Sequence, residues 1–205
     1  MRNAAKKAVL FMGVTIGACL LAASAGAGEV AAPSGKVVTA CQSCHGPGGD
    51  SASPTVPRLN GQRADYIEKR LNDFLDPTRE DPHATATMGN VMSEIDNASF
   101  APIADYYASQ PPAQARTGAA HARDGLKIFR NGAAAQNLPA CQSCHGAQGE
   151  GSREGPRLAG QHSVYLTNQL ERLRLAMRES KSMYHDIKAM TDAQIAALVA
   201  YLAKD

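Results

Sequence analysis

The hexapeptide Cys41-Gln42-Ser43-Cys44-His45-Gly46 recurs 100 residues later as Cys141-Gln142-Ser143-Cys144-His145-Gly146. Two thiols at i and i+3 with an imidazole directly after them can form a redox disulfide, half of a zinc site, or an attachment point for haem. A redox C-x-x-C normally sits in a βαβ setting, and neither half of this chain shows sustained β-type alternation. Two such pairs could close an all-cysteine zinc site, but zinc does not require histidine after each pair, and the separation is far from ribbon spacing. Haem requires what is written. The thiols add to the two vinyl groups on one porphyrin edge, and the next residue places an imidazole under the iron. Two copies imply two covalently bound haem c groups, attached at Cys41, Cys44, Cys141 and Cys144, with His45 and His145 as iron ligands.

The ligand on the other side of each iron decides the chemistry, because iron with two protein ligands transfers electrons while an open iron binds gases or peroxide. Met88, Met92, Met177, Met183 and Met190 are available. A methionine at helical spacing is by default a core filler. Met88 and Met183 stand apart because each lies seven residues before an apolar position, Ile95 and Met190, at the same place in the repeat. They follow their histidines by 43 and 38 residues, enough chain to reach the opposite haem face. Met92 aligns with Ile187, and Met190 with Ile95, so both read as core. Met177 has no methionine counterpart. His162 aligns with Arg63, and His83 and His185 do not align with each other, so these and His121 read as surface or loop residues. Methionine opposite histidine raises the haem potential relative to two histidines.

The elements that must position these groups are helical. Pro57-Arg58-Leu59-Asn60-Gly61-Gln62 matches Pro156-Arg157-Leu158-Ala159-Gly160-Gln161 at an offset of 99, and the later segments align at 95, Tyr106-Tyr107 on Tyr201-Leu202. Drifting offsets over an ordered set of matches indicate duplication followed by loop changes. Tyr66, Ile67, Leu71, Phe74 and Leu75 are spaced as one helical face, with Tyr165, Leu166, Leu170 and Leu173 as counterpart. A helix is expected from Ala119 to Asn131, and Thr191-x-x-Gln194 is a capping box ahead of the stripe Ile195, Leu198, Val199, Leu202. The expected fold class is all-α, with an N-terminal domain over 28–110, a proline-bearing linker over 111–118 and a C-terminal domain over 119–205.

Residues 1–27 read as a cleaved secretory leader: Arg2, Lys6 and Lys7 precede an apolar run, and small residues follow at Ala23-Ser24-Ala25 and Ala25-Gly26-Ala27. Ile16-Gly17-Ala18-Cys19 is a weak lipobox, but Leu20-Leu21 prolongs the apolar run, so cleavage is expected over lipidation. The 205-residue chain has 21 Lys and Arg against 19 Asp and Glu. Without the leader the balance is 18 against 19, too small a charge for a nucleic-acid binder. The halves differ: residues 29–112 carry 6 basic and 11 acidic groups, net −5, while 113–205 carry 12 and 8, net +4. Such a dipole can orient docking to two partners. The chain has no Trp and aromatics at only 5%. A domain of ~80 residues usually needs a staple, and a covalently held macrocycle provides a large apolar core.

The duplicated C-x-x-C-H-G, each copy followed by P-R-L-x-G-Q, a tyrosine-led helix, a distal methionine and a closing helix, resembles the dihaem cytochromes c4 over essentially all of the mature chain. The resemblance implies two tandem cytochrome c-like domains, each wrapped around one covalent haem and related by a pseudo-twofold axis. It implies that Pro57 and Pro156 lend backbone carbonyls to His45 and His145, that Arg58 and Arg157 lie near haem propionates, and that Met88 and Met183 are the distal ligands. The first half departs from the second by a longer acidic insert, Asp76–Pro82, before Met88.

The expected function is that of a periplasmic electron carrier in a respiratory chain. It would take electrons from a quinol-oxidising complex or a dehydrogenase and pass them toward a terminal oxidase, at the outer face of the inner membrane, with no small-molecule substrate and no nucleic acid. The alternative is a dihaem electron-transfer subunit of an oxidoreductase, such as a flavocytochrome c sulfide dehydrogenase. A dihaem peroxidase would need an iron without a distal ligand, and the matched methionines argue against it.

Overall fold

The computed structural model describes residues 35–76, 85–115, 122–177 and 181–204. The leader, His83, His121, most of the acidic insert and the end of the linker lie outside the described residues. In the first half, α1 (Gly35–His45) carries the first Cys motif at its C-terminal end. After a loop rich in Pro and Gly comes α2 (Ala64–Asp73), whose Ile67 and Leu71, four residues apart, are buried. Lys69 pairs with Asp73 on its outer face at 2.9 Å, the i,i+4 spacing at which opposite charges meet on a helix. A π-helical turn at Thr85–Gly89 leads into the short α3 (Asn90–Ser93). The Asp96 side chain caps the next turn by accepting from the Ala98 N–H, and α4 (Phe100–Ser109) follows. Phe100, Ile103, Ala104 and Tyr107 form the buried stripe of α4, which packs on α2 and stops just before Pro111-Pro112.

The second half repeats this plan with a different start. Here α5 (Ala122–Asn131) is separated from α6 (Gln142–His145), the second attachment helix, by a loop whose Ala133 and Leu138 pair as an isolated bridge. Next come α7 (Ser163–Arg174), α8 (Lys181–Ile187) and α9 (Asp192–Leu202). The capping box is formed from both sides, Thr191 Oγ1 accepting from the Gln194 N–H and Gln194 Oε1 accepting from the Thr191 N–H. Ile195, Leu198, Val199 and Leu202 are buried. Each such side chain stabilises the fold by roughly 1.5–3 kcal/mol. The helix α5 crosses α9 in close contact at Gly125, where a Cβ would stand 1.9 Å from the Ala197 carbonyl oxygen.

Each half has its own core. One is built on Ile67, Leu71, Met92, Phe100, Ile103 and Tyr107, the other on Phe129, Leu166, Leu173, Ile187, Met190 and the α9 stripe. Met92 and Met190 are core residues as expected, 1% and 4% exposed. Leu75 is not: α2 ends at Asp73, and Leu75, beyond that end, is 38% exposed. Among the described residues no strand forms, and no helix is long and apolar enough to cross a membrane.

The halves meet through the loops that follow the attachment helices. These loops fold alike, with Leu59 N–H donating to Gly49 O and Leu158 N–H to Gly149 O, both at 2.8 Å. Each is tied to the closing helix of its own half, Gly61 N–H to Tyr107 O at 2.9 Å and Gly160 N–H to Leu202 O at 2.8 Å. Across the interface Arg58 faces Gln161, and Arg157 faces Gln62, in matching hydrogen-bond pairs. This exchange of roles is the pseudo-twofold relation at the level of single bonds.

Candidate haem centres

The spacing C-x-x-C puts both thiols on one side of a helical turn, and the next residue points its ring into the protein. His45 and His145 are buried, while Cys44 and Cys144 are exposed and Cys41 and Cys141 half-buried. All four thiols are free. Burial pushes the Cys41 thiol upward and that of Cys141 up to about 11, so both are held as neutral thiols against the apolar core. The two pairs do not converge, and among the described residues no cluster of three or more His, Cys, Asp or Glu side chains could hold a bare metal ion. Each attachment helix ends at a glycine with positive φ, Gly46 at 74° and Gly146 at 82°. A Cβ at Gly46 would stand 2.5 Å from the Asp50 carbonyl oxygen, so this turn away from the histidine requires glycine.

Each histidine is fixed by a carbonyl. His45 Nδ1 lies 2.8 Å from Pro57 O, and His145 Nδ1 lies 2.9 Å from Pro156 O. A carbonyl only accepts, so the proton sits on Nδ1 and Nε2 keeps its lone pair. Burial pushes both imidazoles below their ordinary range, against the opposing pull of the carbonyl bond, and so keeps them neutral, the form that ligates iron. Met88 lies on the π-helical turn and Met183 on α8, both half-buried. Met88 packs on the same core as Cys41, and Met183 on the same core as Cys141. In each half, then, one core gathers an attachment thiol and the matched methionine. The residues fit haem c: free thiols at vinyl spacing, a ring nitrogen kept unprotonated, and a thioether sulfur on the same core.

Arg58 and Arg157 both turn to the interface. Arg58 Nε bonds Asp50 at 2.8 Å and its Nη1 bonds Gly160 O of the other half at 3.0 Å, while Arg157 Nη2 bonds Ala113 O at 3.1 Å. Asp50 is shared with Lys204 of the second half at 3.7 Å. The two arginines, with Asn60, Gln62, Gly160 and Gln161, line a small cleft between the halves. Asn60 Oδ1 is buried there without a hydrogen-bond partner. In the first half the Tyr107 hydroxyl lies against the Cys41 thiol, and burial pushes it well above its ordinary range.

His162 corrects an expectation. Read from sequence as a surface or loop histidine, it is only 4% exposed, and its Nε2 lies 2.8 Å from Ser51 O in the opposite half. His185 is exposed as expected. Gln62 and Gln161 were missed as interface residues, although their identity at the end of both P-R-L-x-G-Q segments was a signal.

Two attachment helices, each with paired thiols, a carbonyl-anchored imidazole and its own helical core, define the class of c-type cytochromes, and the cytochrome c family model matches residues 122–204. The chain is 35% identical to a cytochrome c-552 of Acidithiobacillus ferridurans, covering 95% of this chain and 86% of that one. It is 34% identical to cytochrome c4 of Azotobacter vinelandii, over 96% and 97% of the two chains. A thiosulfate dehydrogenase electron acceptor of Stutzerimonas stutzeri is 32% identical over 80% of this chain and 78% of its own. The structure of Acidithiobacillus ferrooxidans cytochrome c4 superposes with a TM-score of 0.75 at 37% identity, covering 81% of this chain and 99% of that one. The chain belongs to the cytochrome c4 family, two cytochrome c domains with two covalent haem c groups, an electron-transfer protein and not an enzyme.

Proposed function

We propose that the protein is a periplasmic carrier of a respiratory chain, with His45 and Met88 holding one iron and His145 and Met183 the other. The observation that carries this reading is the matched placement of thiol and methionine on one core in each half, together with the carbonyl-anchored histidine. Haem c supplies an iron that cycles between ferrous and ferric states. The chain's own residues hold it: Cys41, Cys44, Cys141 and Cys144 as thioethers, Pro57 and Pro156 orienting the proximal rings, and methionine excluding water and exogenous ligands. Arg58 and Arg157 line the cleft between the halves, and their guanidinium groups would offset the charge of haem propionates. The domain boundaries we assign are 28–110 and 119–205, joined by 111–118, behind a leader over 1–27. The opposite net charges of the halves fit a carrier that presents one domain to its donor and the other to its acceptor at the membrane surface.

The donor in this reading is a quinol-oxidising complex or dehydrogenase, and the acceptor a terminal oxidase. Membranes containing both, mixed with the purified protein and quinol, should reduce it, and oxygen should reoxidise it at turnover rate. Failure of either half-reaction sinks the respiratory assignment. A second reading is favoured by the relative named as a thiosulfate dehydrogenase electron acceptor. There, the carrier serves an oxidoreductase whose catalytic site lies on another chain, and stoichiometric co-purification with that enzyme distinguishes the two.

A further inference from the structure

The peptide group between Pro57 and Arg58 is hydrogen-bonded at both ends. Its carbonyl accepts from His45 Nδ1 at 2.8 Å, and its N–H donates to Gln161 Oε1 of the other half at 2.8 Å. The peptide between Pro156 and Arg157 repeats the pattern, with His145 Nδ1 at 2.9 Å and Gln62 Oε1 at 2.8 Å. Each glutamine closes the contact by donating Nε2 to the carbonyl of the same arginine, Gln161 to Arg58 O at 3.0 Å and Gln62 to Arg157 O at 2.9 Å. A backbone N–H only donates and a carbonyl only accepts, so the orientation of both amides is determined by their partners. Both side chains are buried, and each Oε1 takes a second bond from the next residue's N–H, Arg63 or His162, at 3.0 Å.

An amide whose N–H is engaged becomes a stronger acceptor at its carbonyl, because the two bonds polarise the same group. A stronger acceptor at Pro57 O draws on the His45 ring proton and raises the basicity of Nε2, the atom left for iron. A more basic ligand favours the ferric state. We propose that Gln62 and Gln161 are positioning residues that tune the haem of the opposite half, by polarising the Pro–Arg peptide to which that haem's proximal histidine donates. The tuning is crossed: Gln161 acts on the centre at His45, and Gln62 on the centre at His145. It rests on both histidines being proximal ligands, and it makes each potential depend on the docking of the two domains.

The test uses the full-length holoprotein with Gln161→Met and Gln62→Met, which keep side-chain volume and remove the amide. Haem methyl resonances follow the two potentials separately during a redox titration, and the reduced protein gives the Hδ1 resonances of His45 and His145. Gln161→Met should raise the potential of the His45 centre and move the His45 Hδ1 to lower frequency, with the His145 centre unchanged. Gln62→Met should do the reverse. Gln161→Glu, which keeps an acceptor against the Arg58 N–H, should not reproduce the rise, and it serves where the methionine variant does not fold. Equal shifts at both centres, a shift confined to the mutated half, or no shift overturns the proposal. Absence of iron-shifted His45 ring signals in the unmutated protein would overturn the ligand assignment as well, which separates the two failures.

Discussion

The same hexapeptide sits in two different helical settings. In the first half it ends the 11-residue α1, whereas in the second half the four-residue α6 carries it alone, behind a loop from α5. The loops after the histidines nevertheless share their key bonds, Gly49 N–H to Gly46 O and Gly149 N–H to Gly146 O at the glycine turn, and each histidine to its proline carbonyl. The second loop is one residue shorter and adds its own Ser152–Gly155 pairing. The difference teaches which part of the motif is under geometric constraint. The approach to the cysteines varies and so does the middle of the following loop, but the glycine turn, the proline carbonyl that fixes the ring and the Pro-to-Gln segment that meets the other half do not.

The largest effect should come from removing attachment in one half. Cys41→Ala with Cys44→Ala, or Cys141→Ala with Cys144→Ala, should each lower the covalent haem content from two per chain to one, measured by pyridine haemochrome. Because the cores are separate, the remaining haem should keep its spectrum; a change in both would show that the halves do not hold their haems independently. Next, Met88→Ala and Met183→Ala should each open one iron, so that the reduced variant binds one carbon monoxide per chain and the unmutated protein binds none. Gly125→Ala should destabilise the second half by ~1–3 kcal/mol, because its Cβ has no room against Ala197. Thermal unfolding of that half should shift downward with the first-half haem signal unmoved. Smallest is Tyr107→Phe, which removes a hydroxyl whose neighbour is only the weakly hydrogen-bonding Cys41 thiol, at a position where the second half has Leu202. Stability should change by less than about 1 kcal/mol in chemical denaturation. A larger loss would mean that this hydroxyl has a structural role that the second half lacks.

What was legible in the sequence was what acts locally. The Cys and His residues follow from spacing, the Thr191–Gln194 capping box from residue types, and the core roles of Met92 and Met190 from the repeat. Leu75 misled because periodicity does not mark where α2 stops. His162 and the two glutamines act across the interface, at 103 residues' separation for Arg58 and Gln161, and helical periodicity does not report such a contact; only the repetition of the glutamine pointed to it. His162 has a ring that reaches Ser51 in the other half, so a loop position in sequence became a buried one in space. The charge contrast was visible, but Asp50 shows how it is used locally, since this acidic residue of the first half meets Arg58 and Lys204, the latter from the second.

In the proposed carrier two irons are each held by one histidine and one methionine. A spectroscopic redox titration of the purified holoprotein tests this most directly, read for the Met-sulfur-to-iron charge-transfer band of the oxidised form. Two haems per chain, each contributing that band and losing it on reduction, is the predicted result. A band accounting for one haem or none would contradict it.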